Sequence, residues 1–253
     1  MRQKIARLVN NRFVNPIVVF LGVEKVFMSL YNPYKNFKAD ASKKSLREIA
    51  GFSHNEHMDR ILSALIAQLK GFIADNCKKG AKVMEIGCGP GNFVAEIMDE
   101  YQATGLDINE SMVQIASERL PNARFLHGDF LSYKFDEKFD AIYCIGALQY
   151  FYPSQLDTFM NKIHSILNPG GIFFVNFPHA LNLQDTKFPD LSYISYSPER
   201  IRNEGAKYFK VIHNKHTLDE KTVDLYDKQP YENPVNKGLR TYLNSYSIVF
   251  KKA

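Results

Sequence analysis

A glycine-rich segment has the residue types and spacing of a loop that binds a ligand through its backbone. It begins at Glu85, and glycine occupies positions 87, 89 and 91. Glycines let the chain turn tightly and leave no β-carbon between the backbone and a ligand. The start of the helix predicted to follow would offer unpaired amide groups to a negative group. An ordinary strand-to-helix turn does not need three glycines behind an acidic residue, so the segment predicts a ligand-binding loop.

The spacing of the glycines and acidic residues distinguishes two interpretations of this loop. A dinucleotide-binding loop has glycine at its first, third and sixth places, with an acidic residue about twenty places further on. Here the sixth place is Asn92, and the third glycine falls one place earlier, at Gly91. The other pattern is acidic-x-Gly-x-Gly-x-Gly, with a second acidic residue at the end of the next strand. Glu85 and Asp107 fill its two acidic places, and a carboxylate at the second can accept hydrogen bonds from ribose hydroxyls.

The hydrophobic pattern predicts strands and helices that alternate around the loop. Helical spacing covers residues 55–75 and 92–101, and short apolar runs predict strands over residues 81–86, 103–108, 123–127, 140–145, 172–177, 208–213 and 245–251. Ser111, Ser154 and Ser197 are expected to begin further helices as caps. Strands that alternate with helices form βαβ units. We therefore expect an α/β protein with a doubly wound, mostly parallel sheet and helices on both faces.

The composition limits the class of protein. A length of 253 residues with 45% hydrophobic and 23% charged residues is that of an ordinary globular chain. A formal net charge of +5 is too small to indicate a nucleic-acid-binding protein. The three cysteines, at positions 77, 88 and 144, are too few and too scattered for a disulfide framework or a zinc site. They suit a reducing compartment, so we expect a cytoplasmic protein without a metal.

The amino-terminal 54 residues are predicted to form a helical extension, or lid, in front of a main domain over residues 55–253. Four basic residues precede the first acidic one, and residues 13–23 are uncharged and largely apolar. The pattern leaves open a secretion signal, a basic helix lying on a membrane surface and a helix that covers the core or the active site. Pro16 and the charged pair Glu24-Lys25 argue against the signal. We favour the covering helix and keep peripheral membrane contact as the alternative.

Five segments resemble, in the correct order, the motifs of the class I S-adenosylmethionine-dependent methyltransferases. They are residues 85–91, 106–109, 127–130, 139–146 and 167–171, and the resemblance covers residues 81–177. It implies S-adenosylmethionine as the cofactor and a Rossmann-like sheet of seven strands. The last strand would be antiparallel, and residues 245–251 could supply it. A cofactor-binding core over residues 81–177 would then be followed by C-terminal strands that flank a long insertion at about residues 214–244.

The resemblance also implies which residues contact the cofactor. The backbone at Gly87 and Gly89 would lie against the methionine part, with Glu85, Cys88 and Gly91 in the same motif, and the backbone around Ile145 would close that end. Asp107 would hold the ribose, and Ile108 would lie beside the adenine. Asp129 would accept a hydrogen bond from the adenine amino group, with Phe130 nearby.

The residues for the methyl acceptor are less marked, and the chemistry explains why. A methyl group on a sulfonium is already activated, so the protein mainly aligns an acceptor with the sulfur–carbon bond, and alignment alone can contribute roughly 7–11 kcal/mol. An alcohol acceptor would gain from a nearby base, and His179, just after the fifth predicted strand, is the candidate. Gln149 and Tyr150 follow the fourth strand and are predicted to line the acceptor pocket.

The acceptor is expected to be a small molecule and not a nucleic acid. Enzymes that methylate amino groups of nucleic-acid bases often carry Asn/Asp-Pro-Pro-aromatic after the fourth strand, where residues 145–150 read Ile-Gly-Ala-Leu-Gln-Tyr. We predict O-methylation of a sugar, a phenol or another metabolite hydroxyl. A lipid-like acceptor, a nicotinamide-dependent oxidoreductase and a catalytically silent binding protein are the alternatives.

Overall fold

The computed structural model describes residues 45–46, 56–179, 196–217 and 244–253. In chain order the elements are α1 (Glu56–Asn76), β1 (Lys82–Ile86), α2 (Asn92–Ala95), β2 (Gln102–Asp107), α3 (Glu110–Arg119), β3 (Arg124–His127), β4 (Phe139–Ile145), α4 (Leu156–Ile166), β5 (Leu167–His179), α5 (Pro198–Ala206), β6 (Lys210–His216) and β7 (Asn244–Lys251). Two short 3-10 helices, Leu148–Tyr150 and Pro153–Gln155, connect β4 to α4. The predicted amino-terminal extension falls outside the described residues except for positions 45 and 46. Most of the predicted insertion, residues 218–243, also falls outside them.

The strands form a seven-stranded sheet in the order β3-β2-β1-β4-β5-β7-β6. Strands β1 to β5 pair with one another in parallel, whereas β7 is antiparallel to both β5 and β6. The chain moves outward from β1 to β3 and then returns to place β4 on the other side of β1. The connections therefore diverge between the carboxyl ends of β1 and β4, where ligands bind in sheets of this kind. The predicted doubly wound, mostly parallel α/β fold is confirmed.

The alternation of side chains along each strand builds a hydrophobic core on each face of the sheet. On one face, a stripe of α1 that includes Leu65 and Leu69 packs with Val83 and Phe174. On the opposite face, residues of α4 and α5 pack on the strands, with Met84 among the buried side chains. Burial of a side chain of this size contributes about 1.5–3 kcal/mol. Side chains of β1, β2 and β4 are packed in these two cores, and the carboxyl ends of the same strands carry the candidate site.

Helix α3 begins at a different cap from the one predicted. The Oδ1 atom of Asn109 accepts a hydrogen bond from the backbone N–H of Met112 (3.1 Å). The Ser111 hydroxyl donates to the same oxygen (2.8 Å), so Ser111 supports the cap and does not form it. The prediction for Ser111 is wrong because Asn109, directly after β2, is already in the extended conformation that a cap requires.

The two other predicted caps have different outcomes. Ser154 lies inside a 3-10 turn and does not cap α4; the N–H of Tyr152 donates instead to Oε1 of Gln155 (2.7 Å). Ser197 is the N-cap of α5, and its hydroxyl oxygen accepts from the N–H of Arg200 (3.2 Å). That prediction is confirmed.

The helix after the glycine loop is much shorter than predicted. It covers one turn, and the chain then continues to β2 through turns whose hydrogen bonds mix two spacings. The N–H of Ile97 donates to the carbonyl of Val94 three residues earlier (3.2 Å), whereas the N–H of Met98 reaches the same carbonyl four residues earlier (3.0 Å). These turns still bury the apolar side chains that predicted a longer helix, since Ile97 lies in the core beneath α1.

Candidate cofactor-binding and acceptor site

The glycine loop is held in a conformation that glycine adopts readily. The φ angles of Gly87, Gly89 and Gly91 are 74°, 52° and 91°, a region that other residues rarely occupy. The N–H groups of Gly87 and Cys88 both donate to the carbonyl of Leu106 at the end of β2 (2.8 and 3.1 Å). The loop is therefore tied to the end of the neighbouring strand.

Two residues of the loop motif face the protein interior. A β-carbon on Gly91 would lie 2.7 Å from Cδ1 of Leu120, and one on Gly105 would lie 2.7 Å from the sulfur of Cys88. The Cys88 side chain is buried, and burial raises the pKa of its thiol well above the ordinary value. The structure thus places Cys88 and Gly91 in the packing layer beneath the loop, where a cofactor contact would involve their backbone.

Asp107 lies at the carboxyl end of β2, with 2% of its surface exposed. Its Oδ2 atom accepts from the N–H of Gly89 (2.7 Å), and Oδ1 accepts from the N–H of Asn109 (2.8 Å). Burial raises the pKa of Asp107, and the hydrogen bonds from these two amides oppose the rise. A carboxylate has about four lone-pair sites, so it can hold the loop and still accept from a ribose hydroxyl. The half-buried Ile108 follows it directly.

Glu85 lies on the face of the sheet that α1 covers, near the end of β1, and is 1% exposed. Its Oε2 atom is buried and has no hydrogen-bond partner among the described residues. Burial raises the pKa of Glu85 well above its ordinary value, the Tyr143 hydroxyl and the Val94 amide oppose the rise, and the charge of Asp107 adds to it.

The predicted adenine segment divides between surface and core. Asp129 is exposed beyond β3, and its Oδ1 atom accepts from the N–H of Leu131 (2.9 Å). The Phe130 ring is buried and contacts the ring of Phe159 edge to face, with centroids 5.3 Å apart. Asp129 is therefore positioned to meet a ligand at the edge of the site, whereas the ring of Phe130 belongs to the core.

The end of β4 provides an open surface beside the loop. Ile145 is buried at the end of the strand, and Gly146, with φ of 67°, is exposed, with no atom within 4 Å of where its β-carbon would lie. A β-carbon on Gly87 would come within 2.3 Å of Cβ of Ala147, so the segment after β4 closely approaches the glycine loop. Gly146 was not predicted as a site residue; its signal is a glycine directly after a buried strand.

Both predicted pocket residues after β4 lie near this surface. The Nε2 atom of Gln149 donates to the carbonyl of Gly146 (2.6 Å), and its Oε1 atom is buried without a partner in the described part of the chain. Burial raises the pKa of Tyr150, and the charge of Asp107 adds to the rise. Tyr150 is therefore within electrostatic range of Asp107. His179 ends β5, but its side chain is outside the described residues, so its role as a base remains a prediction.

A buried cluster of neutral polar side chains adjoins Gly146 and was missed by sequence reasoning. The N–H of Gly146 donates to the carbonyl of Asn176 on β5 (3.1 Å). The Nδ2 atom of Asn176 donates to Oγ1 of Thr217 (2.9 Å) and to Oγ of Ser247 (3.1 Å), and Ser245 donates to Thr217 (2.8 Å). The only sequence signal is one asparagine in the otherwise apolar strand over residues 172–177.

The described ranges contain neither a group of metal ligands nor a membrane-spanning helix. No three His, Cys, Asp or Glu side chains within them are placed to bind a metal ion. Among the described helices, none combines the length and the apolar character needed to cross a membrane.

The site is therefore that of an α/β protein that binds a nucleoside-containing ligand over the carboxyl ends of β1, β2 and β4. Comparison with known proteins makes this class specific. Residues 83–171 match the family model described as "Methyltransferase domain". This match to a methyltransferase domain agrees with the resemblance of the five motifs to the class I S-adenosylmethionine-dependent methyltransferases.

Individual relatives show how far the similarity extends. The chain is 33% identical over 166 residues to sterol 24-C-methyltransferase ERG6B of Gibberella zeae, a match that covers 59% of this chain and 41% of the relative. It therefore spans about two fifths of that relative's length. It is 26% identical over 188 residues to carboxy-S-adenosyl-L-methionine synthase of Campylobacter fetus subsp. fetus, covering 72% of this chain and 77% of the relative.

A solved structure supports the fold. The N-methyltransferase NodS of Bradyrhizobium japonicum WM9, in complex with S-adenosyl-L-homocysteine, superposes with a TM-score of 0.58 at 15% identity. The similarity covers 76% of this chain and 87% of NodS.

Proposed function

We propose that this protein transfers a methyl group from S-adenosylmethionine to a small molecule, with a hydroxyl oxygen as the first choice of acceptor atom. One observation carries the proposal: the Asp107 carboxylate at the end of β2 accepts a hydrogen bond from the loop amide of Gly89 (2.7 Å), while the exposed Gly146 follows β4, on the other side of β1. A nucleoside held by the first pair would place its other end toward the second.

The residues present suit the cofactor. S-adenosylmethionine supplies a methyl group on a positively charged sulfur, which needs no further activation. Asp107 would accept from the ribose hydroxyls, and the backbone of Gly87 and Gly89 would lie along the methionine part without interference from β-carbons. Asp129 would bind the adenine amino group at the edge. What remains for the protein is to hold an acceptor in line with the sulfur, which contributes roughly 7–11 kcal/mol.

The polar groups around Gly146 support a neutral acceptor that donates hydrogen bonds. Since the amide nitrogen of Gln149 contacts the carbonyl of Gly146, the orientation of the amide is fixed and Oε1 is left as an acceptor. The neighbouring cluster of Asn176, Thr217 and Ser247 consists of amide and hydroxyl groups. A hydroxyl of the substrate would satisfy the Gln149 oxygen, whereas a carboxylate would be repelled by it.

A lipid-like acceptor is the second candidate, and the similarity to a sterol methyltransferase favours it. The nicotinamide-dependent oxidoreductase is set aside because the matching family model is that of a methyltransferase domain and the sterol relative is a methyltransferase. We also propose a reducing, cytoplasmic location, since all three cysteines are free and two of them are buried.

The proposal is tested in two stages with the full chain. Calorimetry with S-adenosylmethionine, S-adenosylhomocysteine and a nicotinamide dinucleotide should show binding of the first two only. Transfer of a labelled methyl group is then measured with sugars and phenols, with carboxylic acids and with sterols. Binding of the dinucleotide in place of S-adenosylmethionine would overturn the assignment, and transfer to sterols alone would favour the second candidate.

A pair of variants tests the acceptor pocket separately from the cofactor site. Gln149→Leu should reduce methyl transfer at least tenfold, as expected for loss of a buried hydrogen-bond partner, while the affinity for S-adenosylmethionine stays the same. Gln114→Leu, on the exposed surface of α3, is the matched control and should transfer at the normal rate. Equal rates for the two variants would remove Gln149 from the acceptor pocket.

A further inference from the structure

Glu85 is a buried acid whose charged and titratable neighbours are all acidic among the described residues. Asp107 on β2 and Tyr143 on β4 both act electrostatically on it, and Glu85 in turn acts on the thiols of Cys88 in the loop and Cys144 on β4. No lysine, arginine or histidine in the described part of the chain compensates it. From α1, the buried side chains of Leu65, Leu69 and Ile73 belong to this layer of the core.

The hydrogen bonds around Glu85 do not compensate for burial either. Its Oε2 atom and the hydroxyl of Tyr143 are both buried and make no hydrogen bond of ordinary geometry in the described ranges, although the hydroxyl lies close enough to lower the pKa of Glu85 and so to oppose the effect of burial. Asp107 is better placed, since two backbone amides donate to it at 2.7 and 2.8 Å. An ionised carboxylate is very costly to bury without a partner, so of the two acids Glu85 is the one for which burial favours the protonated form more strongly, and burial raises its pKa.

The position of Glu85 gives this protonation a consequence for binding. It precedes Gly87 by two residues, and the Gly87 backbone is where the proposed function places the methionine part of the cofactor. A positive charge brought to this place would stabilise the ionised carboxylate through a medium of low dielectric constant. The α-ammonium and α-carboxylate groups of the methionine part are common to S-adenosylmethionine and S-adenosylhomocysteine and cancel in net charge. The sulfur of S-adenosylmethionine carries a further positive charge, and the sulfur of S-adenosylhomocysteine does not.

We propose that Glu85 is a neutral acid in the empty protein and ionises when a sulfonium cofactor binds to the glycine loop, so that the protein distinguishes the methyl donor from its demethylated product by charge. In this step the O–H bond of the Glu85 carboxyl group breaks and the proton passes to the solvent buffer. No electron is transferred. The inference rests on the proposed function, because it assumes that S-adenosylmethionine occupies the loop.

The proton is counted by calorimetry at about pH 6.5 in PIPES and in imidazole, two buffers with different enthalpies of ionisation. At this pH an ordinary glutamate (pKa about 4.3) is already ionised and an α-amino group (pKa about 7.7–8.0) is still protonated, so neither contributes. We expect the wild-type protein to release about one proton per S-adenosylmethionine bound, and clearly less for S-adenosylhomocysteine. Measured between about pH 5.5 and 6.5, the affinity for S-adenosylmethionine should rise with pH, and release of one proton limits the rise to about tenfold per pH unit.

Three variants assign the proton. Glu85→Gln should still bind S-adenosylmethionine but release no proton, with an affinity independent of pH over the same range. Glu100→Gln changes an exposed carboxylate and should behave as wild type. Tyr143→Phe should also keep the release, because the Tyr143 hydroxyl opposes protonation of Glu85 and does not cause it.

The outcomes separate this inference from the function on which it rests. Absence of any binding heat for S-adenosylmethionine would overturn the proposed function. Normal binding without proton release, or equal release from wild type and Glu85→Gln, would overturn only the role of Glu85. Equal release for the two ligands would overturn discrimination by charge. If Glu85→Gln does not fold, the pH dependence of the wild-type affinity alone decides: a constant affinity overturns the proposal.

Discussion

Replacing Asp107 with asparagine tests the hydrogen-bonded link between the two halves of the cofactor site. The side chain is isosteric, but one of its two acceptor oxygens becomes an NH2 donor. In the structure both oxygens accept from backbone N–H groups, of Gly89 and of Asn109. In either orientation of the amide, one of these buried N–H groups then faces another donor.

The magnitude follows from that geometry. The ribose hydroxyl loses an ionised acceptor, which costs about 1–3 kcal/mol of binding free energy, whereas the unpaired backbone N–H lowers the stability of the free and the bound protein alike. We expect the affinity for S-adenosylmethionine to fall by about 5- to 150-fold, since 1.4 kcal/mol corresponds to a factor of ten. Asp107→Ala, which removes both acceptors, should weaken binding within the same range or beyond it.

The assay is calorimetry with S-adenosylmethionine and S-adenosylhomocysteine at neutral pH, with circular dichroism and a urea titration to confirm that the variant is folded. Asp99→Asn is the matched control, because Asp99 is exposed; its affinity should equal that of the wild type. A folded Asp107→Asn protein that binds both ligands within twofold of wild type would refute the assignment of Asp107 to the ribose.

Three further predictions concern the scaffold of the site. Gly105→Ala places a β-carbon 2.7 Å from the Cys88 sulfur and should lower the free energy of unfolding by about 1–3 kcal/mol in a urea titration; unchanged stability would show that the loop moves freely. Asn109→Ala removes the cap acceptor for the Met112 N–H and should cost about 0.5–2 kcal/mol, with Asn109→Asp close to wild type as the check. Because the pKa of Glu85 is raised on folding, the folded state binds the extra proton, so without ligand the stability should fall as the pH rises from about 4.3 through the higher folded pKa. If the stability of Glu85→Gln falls with pH as steeply as that of the wild type, Glu85 is not the cause of the pH dependence.

β1, β2 and β4 were predicted within one residue because each is a short apolar run between turn residues. β1 was predicted over residues 81–86 and is Lys82–Ile86. β5 begins at Leu167 instead of residue 172 because Leu167 pairs with Phe139, ahead of the pairing between Ile172 and Ala141. Pro169-Gly170-Gly171 therefore lies inside the strand as an irregularity, and no local pattern reveals a partner on another strand.

The helix starts show where local signals compete. Serine before an apolar run predicts a cap, and this succeeded at Ser197, where proline follows directly. At Ser111 an asparagine two residues earlier was already extended after the strand and took the role. The predicted lid over residues 1–54 and the insertion after β6 lie largely outside the described residues, so those domain assignments remain predictions, apart from residues 214–216, which extend β6.

The sequence by itself determined the glycine loop, the two acids at the strand ends and the family, because these depend on residue type and short spacing along one strand–loop–helix unit. The tertiary structure decided what surrounds them. Asn176 donates a hydrogen bond to Ser247, 71 residues away, and accepts one from the backbone N–H of Gly146, which follows the adjacent strand. Likewise, the charged and titratable groups that act on the Glu85 carboxyl in the described part of the chain come from β2 and β4 and are acidic, namely Asp107 and Tyr143. Helix α1 adds apolar side chains to the same layer. Such contacts produce no periodic pattern in the sequence, because they join groups that are distant along the chain and depend on burial in the folded protein.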